Sequence, residues 1–227
     1  MSRAVIAAMF AAVVIAVTAT GTSANQGKPA ATPASATRPA IHKMLIPYTK
    51  KRKREMAAYS KRHYGQYKWR LNSPKVIVEH YAEAGSINAI FNTFAPDRPD
   101  VEFHQLPGVC SHFAVSASGG VYKFVPPTIR CRHTVGLNHV AIGIEHVGFS
   151  DQDILNRPAQ LNASLQLTQY LRCHFGIPVE QVIGHNESLS SPFYKELDPR
   201  FRGQTHGDWN KADMDVYRSD LRKLGSC

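Results

Sequence analysis

"VIVEHYA", residues 76–82, is the stretch on which the reading of this chain turns. Val76, Ile77 and Val78 are β-branched and follow Pro74, which suits a buried strand. That strand then delivers Glu79 and His80 at its tip. A core strand gains nothing from an imidazole, and one strand-end histidine alone is most simply a satisfied edge residue. The pattern acquires meaning because it recurs. "VAIGIEHVG" (140–148) is another buried strand, ending near Glu145 and His146, and "VEQVIGHNE" (179–187) is a short one ending at Gly184 and His185.

Between these strands the period changes. "GSINAIFNTFA" (85–95) places Ile87, Ile90, Phe91 and Phe94 at helical spacing. "SHFAVSASGGVYKFVPP" (111–127) alternates on both sides of Ser118-Gly119-Gly120 and predicts a hairpin. "PAQLNASLQLTQYLRCHFGI" (158–177) predicts a long helix with Leu161, Leu165, Thr168 and Leu171 on one face and Gly176 as its stop. "KADMDVYRSDLRKLG" (211–225) predicts a closing helix. Helices mixed with both a hairpin and crossovers imply an α/β fold, a central mixed β-sheet flanked by helices in a single domain.

The chain has 227 residues, enough for one medium domain with appendages, and 43% of them are apolar. Residues 1–24 carry a basic start at Arg3, an apolar run from Val5 to about Ala19 and small residues near Ala24, the layout of a secretory signal peptide. The run falls short of the roughly 20 residues a membrane-spanning helix needs, so no stable membrane insertion is expected. Residues 25–46, rich in Ala and Pro, read as a disordered linker. Residues 47–72 read as a basic helical lead-in from Tyr48 to about Tyr64, with Met56, Tyr59 and His63 on one stripe, Pro47 near the start and Gly65 as stop. Residues 73–227 form the main domain.

An exported chain with four cysteines, none in a C-x-x-C pair, is expected to hold two disulfides. Of the three pairings, Cys110–Cys131 across the hairpin and Cys173–Cys227 between the last two long helices are favoured, although sequence does not decide among them. The formal net charge of +10 suits nucleic acid, anionic lipid or anionic cell-wall polymers, and export removes nucleic acid. The alternative for this charge is generic solubility. The chain is taken as a monomer.

Reactive side chains thus gather at strand ends, where sites of α/β sheets collect: His80, Glu145 and His185, joined by "QTHGDW" (204–209) with His206 and Asp208. Three donors with one open position would suit catalytic zinc, but spacing alone does not demand it. In this order, "VIVEHYAEAGS", "SHFAVSASGGVYKFVPP", "RHTVGLNHVAIGIEHVG" and "VIGHNE…THGDW" resemble the zinc N-acetylmuramoyl-L-alanine amidases of type 2. Their fold is that of phage T7 lysozyme and the peptidoglycan recognition proteins. The likeness runs from about Pro74 to Leu224, and "IPYTKKRKREMAAYSKRHYG" (46–65) is similar to the lead-in of exported actinobacterial members.

The resemblance implies a secreted, wall-associated enzyme that cleaves the amide between the lactyl group of N-acetylmuramic acid and L-alanine of the stem peptide. Its partner is bacterial peptidoglycan and its cofactor Zn2+. Carried over, the metal ligands fall on His80, His185 and a third residue, acidic or cysteine in the family. His206 is the expectation, with Asp208 and Asp198 as rivals, because the gap from His185 is long and "LDP" offers an acid. Glu145 matches the family's acid–base residue, the alternative being a buried ion pair with Arg132. A family lysine two residues before the third ligand falls on Gln204, which keeps a hydrogen-bond donor without the charge. His133 and Asn138 are expected at the substrate, with turn capping the other reading of Asn138. The same fold also serves as a metal-free peptidoglycan receptor, so a non-catalytic binding module stands as the alternative function.

Overall fold

Parallel pairing around β2 (Val76–Tyr81) organises the sheet. β2 is flanked by β5 (Ala141–His146) on one side and β6 (Val182–Gly184) on the other, both parallel to it. The structure, a computed structural model, describes residues 36–227. The expected signal peptide at 1–24 and the first part of the expected linker therefore lie outside the described residues. The full order is β1-β4-β3-β5-β2-β6 in one six-stranded sheet. Only the hairpin of β3 (Phe113–Val115) and β4 (Val121–Lys123) is antiparallel, as the alternation around Gly119 predicts. The sheet is thus mixed, and the fold is the expected α/β one.

β1 (His42–Lys43) corrects the linker boundary. It pairs parallel with β4, and Met44 N and Ile46 N continue the ladder to Lys123 O and Phe124 O at 3.1 and 3.0 Å. Residues 42–46 therefore belong to the domain, with Ile46 buried, and the disordered linker cannot extend to 46. Low-complexity composition through Ala40 masked a strand too short to show a period.

Alternation along the strands separates two faces. Ile77, Ile142 and Ile144 pack with Leu165, Leu167 and Leu171 of α4 (Pro158–Phe175) and with Met214, Tyr217 and Leu221 of α5 (Lys211–Lys223). On the opposite face, α2 (Ile87–Phe94) buries Ile87, Ile90 and Phe94 against Ala114 and Phe124, while Val76, Val78 and Ala141 form a small cluster of their own. α3 (Asp151–Leu155) leads into α4.

α1 (Lys50–Tyr64) buries Met56, Tyr59 and His63 as its stripe requires. Thr49 caps its start by accepting from Arg52 N at 3.2 Å, and Gly65 ends it in the left-handed region at φ 75°. Arg52 is also fully buried, which its place in a basic helix did not suggest. The disulfides are Cys110–Cys131 and Cys173–Cys227, the favoured pairing. The second ties α4 to the chain beyond α5.

Burial shapes the acid response of the fold. Desolvation lowers His112, His139 and His146 to about 4. The folded state thus keeps them neutral while the unfolded chain takes up protons near 6.5. Their stabilising contribution is complete above pH 6.5 and is lost as pH falls toward 4, by up to about 1.4 kcal/mol per pH unit for each group. Thermal midpoints measured from pH 7 to 4.5 are expected to drop steadily, and His112→Asn to flatten that slope.

Candidate metal centre

The register of three parallel strands sets the site. His80 on β2 faces Glu145 on β5, and Glu79 faces Gly184 on β6, so His185 follows at the level of His80. Period-two alternation sends His80 and Glu145 to the face away from α4. Carboxyl-terminal strand ends thereby present two imidazoles and a carboxyl to one cleft of about 540 Å³.

Asp208 completes the group. Its Oδ2 accepts from His80 Nδ1 at 2.9 Å and its Oδ1 faces His185 Nδ1 at 3.1 Å. One ligand atom from each of these three buried residues lies within 4.8 Å of the others. The structure thus brings Asp208, and not the expected His206, together with His80 and His185. The His206 side chain is 53% exposed, stacks its ring on His185 at 4.8 Å, and turns Nε2 toward Glu102 at 3.5 Å. Asp198 is engaged elsewhere, with Arg200 at 2.7 Å, and hydrogen bonds from that arginine hold its carboxyl down to about 2.

Local structure explains why Asp208 arrives there. Asn186 N donates to Asp208 O at 3.0 Å, docking the 205–210 segment on the end of β6. Asp151, at the start of α3, accepts from Trp209 N at 2.7 Å and from Asn210 N at 2.9 Å. These bonds hold buried Trp209 at φ 55°, a region a bulky residue enters only when its surroundings dictate it. Gly184 makes the approach feasible, since a Cβ there would collide with the Trp209 backbone. Nothing local in the sequence singled out Asp151 or Gly184. Their partners lie 58 and 25 residues away in the chain.

His133 lies over β5, its ring against Gly143, where an added Cβ would come within 2.7 Å of Cγ. That contact gives the glycine of "IGIE" its physical reason. His133 Nδ1 sits 3.1 Å from His80 Nε2 and 2.8 Å from Thr134 Oγ1, so it steadies the outer side of the His80 ring. Asn138 is buried, and its Oδ1 accepts from His133 N and Thr134 N at 2.8 Å each. It caps the turn, the second of its two expected roles. Gln204 lines the cleft but donates to Glu102 at 3.4 Å, on the rim. Arg132 is committed to Asp100 at 2.7 Å and to two backbone carbonyls, so it does not neutralise Glu145.

Electrostatics divide the two site carboxyls. Burial, reinforced by the charge of Asp208, pushes Glu145 up to about 8. Asp208 is also buried, which acts to raise it, yet hydrogen bonds from His185 and His80 outweigh this and keep it well below the usual carboxylate range. Desolvation lowers His80 despite its bond to Asp208, and lowers His133 well below the ordinary imidazole value. Two imidazoles and one carboxylate are a donor set that suits zinc. Both Nδ1 atoms converge on the same carboxylate, so the residues fit such an ion.

Residues 70–200 match the sequence pattern of the N-acetylmuramoyl-L-alanine amidases of type 2, more than half of the chain. The chain belongs to this family. Among solved structures, a point mutant of PlyL aligns over 82% of this chain and 99% of its own, with 14% identity and a TM-score of 0.50. LysC, an N-acetylmuramoyl-L-alanine amidase from Clostridium intestinale, covers 82% and 99% at 17% identity with a TM-score of 0.48. AmiD of E. coli, in complex with anhydro-N-acetylmuramic acid-L-Ala-D-gamma-Glu-L-Lys, covers 50% and 49% at 22% identity with a TM-score of 0.39. No curated protein sequence matches at a significant level. The amidase-matched span begins after α1 and ends before Asp208.

Gly184→Ala in this amidase is expected to lose about 2 kcal/mol or more of unfolding free energy, the scale of an overpacked backbone contact. Urea titration measures it. Asp151→Asn should release the 208–210 segment, and a lower midpoint with unchanged slope would report it.

Proposed function

We propose that this amidase hydrolyses the amide between the lactyl group of N-acetylmuramic acid and L-alanine of peptidoglycan, with zinc held by His80, His185 and Asp208. The observation that carries the reading is the convergence of these three donors beside Glu145 at one end of a cleft. When bound, zinc would acidify a water molecule and polarise the amide carbonyl. Glu145 supplies the proton traffic: its carboxylate accepts a proton as water attacks, and the acid returns one to the departing amine of L-alanine. Its position supports that double role, because it lies opposite His80 on the neighbouring strand and lines the same cleft.

With Asp208 as the third donor, the family's lysine position two residues earlier falls on His206 rather than Gln204. His206 is exposed to the cleft and stacked on His185, placed to donate toward the oxygen that gains charge. Gln204 then serves the rim with Glu102. His133 holds the His80 ring, and Asn138 holds the turn carrying His133. A receptor that had lost its metal would not require three converging donors with an acid beside them, which favours catalysis over recognition alone.

The basic exterior fits a second contact with the wall. Lys53 and Arg70 lie over the Trp69 ring, at 4.7 and 4.3 Å, and Lys50, Arg54, Lys61 and Lys68 are exposed nearby in sequence. This face would hold the enzyme to anionic wall polymers after export. Among the described residues no helix is long and apolar enough to cross a membrane.

Purified protein incubated with peptidoglycan is expected to release L-alanine amino groups without new reducing sugar ends, and a chelator should stop it. Asp208→Ala should abolish zinc retention, whereas His206→Ala should keep the metal and lose turnover. Full zinc retention in Asp208→Ala would refute the ligand set. Glu145→Gln should lower turnover by about 10²- to 10⁴-fold with zinc intact.

A further inference from the structure

Helix α1 lies ahead of the family-matched residues, yet both walls of the cleft are fastened to it. The first wall is the loop 95–109, which brings Arg98, Val101, Glu102 and Phe103 to the cleft. Arg52 of α1, fully buried, gathers its two ends. The guanidinium donates to Phe94 O at 3.0 Å and Ala95 O at 3.5 Å on one side, and to Gly108 O at 3.0 Å and Val109 O at 3.1 Å on the other. A planar group with a fork of donors can pin four carbonyls at once, which an ammonium cannot.

His63, one helical face along, joins that wall to the second. It is fully buried, with Nε2 2.9 Å from Gln105 Oε1 and Nδ1 2.8 Å from Glu196 Oε2. Its carbonyl accepts from Leu197 N at 2.9 Å, and its ring packs on Phe201 at 4.8 Å. Residues 196–201 lead into Gln204 and His206, the far side of the cleft. Phe103 meets Phe201 at 4.3 Å where the walls touch.

Between these anchors, Tyr59 lines the cleft and accepts from Asn138 Nδ2 at 3.3 Å. Asn138 in turn caps the turn that sets His133 against His80. Residues 52, 59 and 63 recur at helical intervals, so one face of α1 reaches both walls and the outer side of a metal donor.

We infer that α1 is a positioning element of the amidase: Arg52 and His63 hold the two cleft walls at a set separation, and Tyr59 orients His80 through Asn138. The inference rests on the function proposed above for its kinetic consequence, and on geometry alone for its structural one. A substrate-binding cleft with loosened walls binds less well without altered chemistry, so Arg52 and Gln105 variants should raise KM and leave kcat largely unchanged. Loss of an outer hydrogen bond on a ligating histidine instead weakens the metal.

The test uses the mature protein with Arg52→Lys, Gln105→Ala and Tyr59→Phe, and Lys223→Ala at the exposed end of α5 as control. Arg52→Lys and Gln105→Ala are expected to raise KM for muramyl-peptide roughly fivefold to tenfold, with kcat within about twofold and zinc affinity unchanged. Tyr59→Phe is expected to weaken zinc about tenfold in chelator competition. Hydrogen exchange should quicken in 95–109 and 194–206 for Arg52→Lys and Gln105→Ala. The control should move none of these. Lower melting temperature with KM, zinc affinity and exchange all at the parent values would overturn the inference. If the unaltered protein neither retains zinc nor cleaves, the proposed function fails, and hydrogen exchange still decides this inference: unchanged protection of both walls sinks it.

Discussion

Backbone pairing of β5, β2 and β6 in one parallel register is the constraint from which the rest of the molecule follows. It places His80 opposite Glu145 and brings His185 level with both. A slip of one residue would carry these groups to the opposite face, because strand side chains alternate with period two. The register is held on that opposite face by a buried polar network. Thr168 of α4 donates to Glu79 at 2.8 Å, Tyr217 of α5 meets Thr168 at 3.0 Å and Ser164 at 2.7 Å, and His146 joins Ser164 at 2.7 Å and the His80 carbonyl at 2.7 Å. A slipped register would strand these polar groups without partners. The network therefore gives Glu79 a reason to end a core strand.

Glu79 and Glu145 stand one residue apart in register, and burial pushes both up to about 8. Their environments nonetheless assign different work. Glu79 is enclosed among hydroxyls on the helix side and serves the packing. Glu145 opens to the cleft beside Asp208, whose low pKa keeps a negative charge there. A raised carboxyl alone does not mark a site; access to the cleft and the neighbouring donors do.

Charge is divided in a similar way along α1. Most of its cations stay in water, as the net charge of +10 suggests, while Arg52 goes fully inside against backbone carbonyls. The buried guanidinium satisfies carbonyls that the irregular 95–109 loop cannot pair within itself. Without the helix, that loop would have four acceptors to hydrate and no fixed ends. The lead-in is thus continuous with the fold rather than an appendage to it.

The sequence by itself determined the strands β2 to β6, the long helices, the mixed sheet, the disulfide partners as a preference, and the placement of His80, Glu145 and His185 at strand ends. Those features are local: β-branched runs, helical periods, glycine stops and residues at element termini report on their own neighbourhoods. Tertiary structure decided which acidic residue meets the two imidazoles, that His133 and Asn138 steady the site from behind, and that residues 42–46 join the sheet. Asp208, rather than His206, meets both imidazoles because Asp151 and the bare backbone at Gly184 draw the 208–209 segment in against β6. Those contacts link residues tens of positions apart, and no window of sequence contains both halves of them.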